Sequence, residues 1–598
     1  MSTPRRPLGS PPCSDQSPFL CRLLRNRQGN ALPIMAMIIA LLMAFSGCAV
    51  DGARMYMVKA RLQQACDAGV LAGRKAMTDT SSGSTTLDAS ATSAANAFFA
   101  NNIRTGWYGI TSLSFTPSKT SDSQVSGTAS AVVPMTLMRF FGYSTITLNA
   151  LCKATYQISD TDVIFVLDTT GSMACLPSDS DSTCNNYINS INSVSYSRPA
   201  DGTASGNTST AGYPGSTAYY EPEKSGSRIS ALRSAVLSFY DTMAASIDAN
   251  TRVRYGFVTY TSTVNAGRAI MDVSPAYLVG GASNVNTSWN YQTRVLTGTT
   301  MSGGTLKPNW QYKQSPQLLT TYVTGLATVD PTKYVSTTDT WDGCLEEAYT
   351  TPGVSSFSTS SLPNDLNPDL VPTSDIKTQW KPMWPAVTYA RNNYSSTGTA
   401  TSTGDSSSHP NLDQATYYQA GYISCGKPVS RLAVMTRTQV SNYVNAADFR
   451  PIGGTYHDIG MIWGSRLISP NGIFAADTTA VTGHDAPKRV IVFLTDGDMS
   501  PSQYIYGAYG IEYYDQRVSG GDLSNLKAYH NARFLAACAA AKAMNVSIWT
   551  VALGMSSTTA LTQCATTSSQ ALSTTSGSGL ATQFATIASK IAKLRISQ

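Results

Sequence analysis

Charge is scarce in this chain. Only 13% of its 598 residues are Asp, Glu, Lys or Arg, and Ser, Thr, Gly and Asn fill the gap. The formal net charge of +6 does not describe the body of the protein. Residues 1–30 hold five arginines (Arg5, Arg6, Arg22, Arg25, Arg27) against the single acid Asp15, which leaves 37 basic and 35 acidic residues in the rest. A nucleic-acid binder needs a basic face on its folded part, and this near-neutral remainder offers none. Histidine is rarer still, with four in all and no HExxH, so a zinc hydrolase has no support. No two cysteines stand as CxxC, which argues against a zinc ribbon.

Against that polar background stands one long apolar run, ALPIMAMIIALLMAFSGCAV (31–50), without a single charge. Twenty such residues suffice to cross a bilayer as a helix. The arginines precede it, so the positive-inside rule places the N-terminus in the cytoplasm and everything after Asp51 outside it. A cleaved signal peptide is the alternative reading of a basic region followed by an apolar run; either way the bulk of the chain is exported. Eight of the eleven cysteines lie beyond this segment, in a compartment that permits disulfides. Cys175 and Cys184 close the short polar loop CLPSDSDSTC and form the simplest pair.

Beyond the apolar run, residues 51–77 have helical periodicity, with Met55, Val58, Leu62, Ala65 and Val70 on one stripe. The spacing predicts that this helix continues the membrane helix outward. A second helix is expected over 86–103, then three β-like runs between 111 and 157. Residues 51–158 thus read as a small α+β module. From 159 the pattern changes to α/β. VIFVL (163–167) is a strand apolar on both faces, as in the middle of a parallel sheet. SRISALRSAVLSFYDTMAAS (227–246) is a helix and RVRYGFVTYTS (252–262) a second strand. Residues 265–425 interrupt the unit with polar sequence that carries tryptophans at 289, 310, 341, 380 and 384, which predicts a folded insertion. The α/β pattern resumes near 430, with a helix over 429–447, another over 456–469, a strand ending in TDGD (495–498), a helix, a strand and a closing helix.

The strand end VIFVLDTTGSM (163–173) admits three chemistries. A phosphate loop needs G-x-x-x-x-G-K-[ST], but only Gly171 is present and no lysine follows. A hydrolase elbow needs G-x-S-x-G, whereas Ser172 follows Gly171 directly and precedes a methionine. A metal site fits better: Asp168, Thr170 and Ser172 offer oxygens at alternate positions, suited to a hard cation such as magnesium. The C-terminal ends of parallel strands gather at one sheet edge, so Asp496 of FLTDGD would reach the same place. Thr455, in the GGT loop before a helix, could add a hydroxyl.

D-x-T-x-S, a later loop threonine and a T-D-G strand end together resemble the metal-ion-dependent adhesion site of von Willebrand factor A domains. The resemblance implies a Rossmann-like α/β fold, mostly parallel with helices on both faces. It implies that Thr170 and Ser172 bind Mg2+ (or Mn2+ or Ca2+) directly, that Thr455 and Asp496 do so directly or through water, and that Asp168 ligates the metal or holds its water. A sixth position would be open for a carboxylate from a protein partner. Thr170 stands where the family more often has serine, and Asp498 is read as a loop residue. Gly29-Asn30, Val50-Asp51, Arg54, Arg61-Leu62-Gln63 and Asp67-Ala68 resemble the N-terminal segment of TadE/TadG-like proteins of the tight-adherence (Flp) pilus system. WDGCLEEA, GGTYHDIGMIWGSRLISP and FATIASKIAKLR resemble TadG-type proteins as well. Pseudopilins cut by the prepilin peptidase have a glutamate where this chain has Ile34, which favours an intact anchor. In that setting Cys538 and Cys564 flank one strand and pair, Cys344 and Cys425 staple the insertion, and Cys66 pairs with Cys152.

The expectation is a single-pass protein of a bacterial inner membrane, with no nucleic-acid partner and no catalytic role, that grips a pilus or envelope component. The alternatives are a metal-assisted hydrolase or chelatase-like module, for which His457 is the candidate base, and a metal-free scaffold.

Overall fold

A computed structural model describes residues 31–77, 86–121, 124–155, 159–199, 217–247, 251–282, 284, 286–319, 328–389, 400–403, 421–482 and 484–593. The chain divides into two compact units, 1–157 and 158–598. The cytoplasmic tail expected over residues 1–30 lies outside the described residues.

In the first unit the apolar run is the opening of one long helix, α1 (Ala31–Ala76), which is long and apolar enough to cross a membrane. No proline interrupts it after Pro33, so it runs on past Asp51 as the periodicity predicts. Its second half buries Val58, Leu62, Ala65 and Val70, while Met55 is half-buried. These pack against α2 (Ala89–Asn102) and an antiparallel meander of β1 (Ser112–Ser121), β2 (Gln124–Pro134) and β3 (Thr145–Thr155). Asp88 caps α2 by accepting the Ala91 N–H at 2.8 Å. Gly69 lets the elements close up, since a Cβ there would stand 2.9 Å from the Phe115 ring. Cys66 and Cys152 are bridged, tying α1 to β3.

The second unit is built on six strands in the order β8–β5–β4–β9–β10–β11. They are β4 (Ser159–Asp168), β5 (Val253–Tyr260), β8 (Ser430–Ala433), β9 (Asp485–Thr495), β10 (Val546–Leu553) and β11 (Ala571–Thr574). All neighbours are parallel except the edge pair β8–β5. Alternate residues of the central strands serve two separate cores. Val163, Phe165 and Leu167 face α3 (Arg228–Ser246), α4 (Arg437–Val444) and α7 (Gly577–Lys593). Ile164 and Val166 face α5 (His457–Ile468) and α6 (Leu526–Ala543). Helices therefore cover both faces of a mixed, mostly parallel sheet.

One expectation needs correcting here. Residues 429–447 are not one helix: Ser430–Ala433 pairs antiparallel with β5, and the helix begins only at Arg437. Thr436 and Gln439 form a reciprocal capping box, which fixes the helix start there and frees the preceding residues to pair with the sheet.

The described residues of the insertion are folded. Their main element is a long hairpin of β6 (Ser288–Ser302) and β7 (Thr305–Leu318). The two-residue turn uses Gly303 and Gly304, both at positive φ (59° and 79°), as a tight hairpin turn of matching twist requires. Trp310, Trp341, Trp380 and Trp384 are fully buried, and the Cys344–Cys425 bridge closes the segment. Cys175–Cys184 and Cys538–Cys564 are bridged too.

Candidate functional site

The parallel strands end together at one edge, where β4 delivers Asp168, β5 delivers Tyr260 and β9 delivers Thr495 and then Asp496. Backbone bonds lace the adjoining loops to one another: Thr169 N–H to Tyr260 O (3.2 Å), Ile452 N–H to Thr169 O (2.9 Å) and Gly171 N–H to Gly453 O (3.0 Å). Gly453 is required at this crossing. Its φ is +82°, and a Cβ would stand 2.5 Å from the Ser424 hydroxyl.

These loops bring all five of the residues singled out in the sequence into one cluster of contacting side chains. Thr170 donates to Asp168 Oδ1 through its hydroxyl (2.7 Å) and its N–H (2.9 Å). Its Oγ1 lies 3.2 Å from Ser172 Oγ, and Ser172 donates to Asp496 Oδ1 at 2.8 Å. Thr455 Oγ1 reaches Thr170 Oγ1 at 3.4 Å. Asp168, Thr170 and Asp496 are buried to within 1% of complete, and Thr455 to within 7%.

Three further residues complete the arrangement, and the sequence alone did not single them out. Tyr260 and Thr495 hold Asp168 Oδ2 from the other side, at 3.2 and 2.8 Å. Arg228, the first residue of α3, places Nη1 3.0 Å from Asp496 Oδ2. Thr495 carried a usable signal, since it is the residue before Asp496 at the end of an apolar strand. Arg228 carried none.

The electrostatics follow from burial. Desolvation pushes the Asp168 carboxyl above its ordinary value against the pull of its hydroxyl and N–H donors. Burial first, and the charge of Asp168 second, push Asp496 up to about 7 despite Arg228. Of the two buried acids only Asp496 has a guanidinium against it, and ionising both leaves an uncompensated negative charge. Each hydroxyl that donates its proton to a carboxylate keeps its lone pairs available. This donor set fits a hard divalent cation, which takes oxygen ligands. Among the described residues no three His, Cys, Asp or Glu side chains converge; here there are two acids, and the remaining oxygens are hydroxyls.

Two neighbours have other employment. His457 is fully buried, its Nε2 2.9 Å from Thr495 Oγ1, and desolvation lowers its pKa to about 4. Asp498 forms a half-exposed ion pair with Lys527 at 2.7 Å.

Taken together, the chain is a mixed α/β protein with an N-terminal apolar helix and a polar, acidic site at the strand ends. Residues 29–97, within the first unit, match the Tad family model, described as Flp pilus-assembly TadE/G-like. No curated protein matches the chain. Among solved structures, the PilB minor pilin of Streptococcus sanguinis is 10% identical, with 82% of this chain and 81% of that one covered and a TM-score of 0.29. The pilus adhesin SpaC of Lactobacillus rhamnosus GG in its open conformation is also 10% identical, with a TM-score of 0.27. That alignment covers 81% of this chain but only 34% of SpaC, about a third of its length. Likenesses of that strength carry no argument about fold or function.

Proposed function

We propose that residues 159–598 form a von Willebrand factor A-type domain, and that Asp168, Thr170, Ser172, Thr455 and Asp496 hold a divalent cation, magnesium first and manganese or calcium as substitutes. Through that cation the chain grips a protein partner that presents a carboxylate, a pilus or envelope component. The work is pilus assembly or surface adhesion from a bacterial inner membrane, with α1 as a single-pass anchor, its N-terminus cytoplasmic and the bulk exported. The observation that carries this reading is the convergence of those five side chains, drawn from three loops up to 328 positions apart, into one cluster. The Tad match of residues 29–97 supports the pilus setting, and the length and apolarity of α1 support the anchor.

The same geometry favours binding over turnover. His457, the one candidate base of the sequence, is turned into the core against Thr495 and has a depressed pKa. A general base must reach the proton it takes. The domain is therefore read as an adhesive module and not as an enzyme.

The test is a pull-down from envelope extracts with the wild-type chain and Asp168→Ala, each with and without chelator. The proposal expects a partner that is retained only by the wild-type chain without chelator. The same partners in all four conditions would favour the metal-free scaffold.

A further inference from the structure

The first unit has an apolar feature that α1 does not account for. TLMRFFGY (136–143) joins β2 to β3 and leaves its large side chains outside: Phe140 is 75% exposed and Tyr143 65%, and Phe141 and Ile146 are exposed as well. Grouped apolar exposure of this kind marks a contact surface.

The position of this loop along α1 is fixed. Asp51, the first charge after the apolar run, accepts the N–H groups of Thr136 (3.0 Å), Leu137 (3.0 Å) and Met138 (2.9 Å). Closer to the apolar end, a Cβ on Gly47 would stand 3.0 Å from Leu137 Cβ, and Cys48 Sγ lies 3.6 Å from Met138 Sδ. Gly47 precedes Asp51 by four residues, about 6 Å along a helix that rises ~1.5 Å per residue. Leu137 and Met138 therefore lie beside the last turn of the apolar run itself. The short 3-10 turn Met138–Phe141 follows, and Gly142, at φ +93°, sends the chain back toward β3.

A second loop meets α1 one turn further out. Arg54 Nε donates to Tyr108 O at 2.7 Å, and Arg54 Nη1 to Pro134 O at 3.0 Å. Trp107 and Tyr108 in that loop are 46% and 40% exposed. Tryptophan and tyrosine, amphipathic rings with a polar atom, collect where hydrocarbon meets water. Arg139, exposed and 5.3 Å from the Phe140 ring centroid, has the fork that suits a phosphate.

We propose that the 136–143 loop is a second membrane contact of this chain: Phe140 and Phe141 enter the interfacial layer of the bilayer that α1 crosses, Tyr143, Trp107 and Tyr108 stand at headgroup level, and Arg139 meets lipid phosphate. The proposal rests on the reading of α1 as a membrane anchor. Lipid is the occupant that position dictates, because the loop flanks apolar helix at the height where that helix leaves the bilayer. The consequence is mechanical. A lone helix leaves its attached module free to swivel, whereas a helix and a side loop hold the first unit at one tilt to the membrane.

The experiment uses the full chain with Cys13, Cys21 and Cys48 changed to serine and the bridged cysteines kept. Single spin labels are placed through Phe140→Cys, Leu41→Cys in the apolar run, and Ser118→Cys on the exposed side of β1. Each variant is reconstituted in phosphatidylethanolamine–phosphatidylglycerol liposomes, and collisions with oxygen and with a water-soluble nickel chelate are compared. Expected is a label at 140 that is severalfold more accessible to oxygen than to nickel, like the one at 41 and unlike the one at 118. A label at 140 that behaves like 118, with 41 still in lipid, overturns the loop contact, leaves the anchor standing and turns the patch over to a protein partner. A label at 41 that is open to nickel overturns both. Retention of the Cys66–Cys152 bridge by non-reducing peptide mapping shows that each variant is folded.

Discussion

Glu347→Ala is expected to loosen the insertion from the sheet domain at a cost of about 3–5 kcal/mol, the usual penalty for removing one partner of a buried ion pair. Glu347 is completely buried and takes four side-chain bonds. Arg466 of α5 forks onto its two oxygens at 2.8 and 3.0 Å. The indole N–H of Trp463 donates at 2.8 Å and that of Trp380 at 3.1 Å. The alanine variant leaves a guanidinium and two indoles in the dark with no acceptor, save for the bond from Arg466 to Asp365 O. For a unit of this size the loss corresponds to a fall in Tm of roughly 3–5 °C. Thermal melts of the full chain, followed by hydrogen exchange over the β6–β7 hairpin, check it. Glu347→Leu combined with Arg466→Leu should recover much of the loss, because it removes both charges together. A single alanine variant that melts like wild type would show that the network does not hold the insertion.

Asp168→Ala is expected to abolish a stabilisation by magnesium that the wild-type chain shows. A ligand that binds only the folded state at a hundredfold excess over its Kd contributes about 2.7 kcal/mol. The quantity to compare is the increment on adding magnesium, because the substitution has its own effect on the cation-free chain. It strips the acceptor from the Thr170 N–H and hydroxyl, buried donors whose loss of a partner costs about 1–3 kcal/mol each, while the Tyr260 and Thr495 hydroxyls fall back on Leu494 O and Gly497 O. Melts with magnesium and with chelator separate the two effects: the increment vanishes in the variant and persists in a distant control such as Asp241→Ala, whose ion pair with Arg437 is half-exposed.

Which parts of this were legible in the sequence has a physical explanation. A central parallel strand is buried on both faces, so VIFVL (163–167) and VIVFL (490–494) stand out as unbroken apolar runs, and the acids that end them mark the sheet edge. The two sheet-facing cores follow from simple alternation along the same strands. An edge strand sends no such signal. Ser430–Ala433 is four residues long and only half apolar, so its pattern merges with that of the helix that follows, and the equally short Ala571–Thr574 has too few apolar positions to stand out as a strand. Arg228 was hidden for another reason. Its partner lies 268 positions away, and an arginine at the start of a surface helix ordinarily faces water. The insertion yielded its tryptophans and its cysteines but not its hairpin, whose strands include exposed positions such as Leu296, Met301 and Leu306.

The central claim is a cation held by the strand-end cluster, and anomalous diffraction tests it most directly. Crystals of the full chain grown with manganese should show a strong anomalous peak beside the hydroxyls of Thr170 and Ser172, within reach of Asp168, Thr455 and Asp496. The peak should be missing from crystals of Asp168→Ala grown in the same way. A wild-type map with no peak at that cluster, whatever manganese is bound elsewhere, would contradict the account.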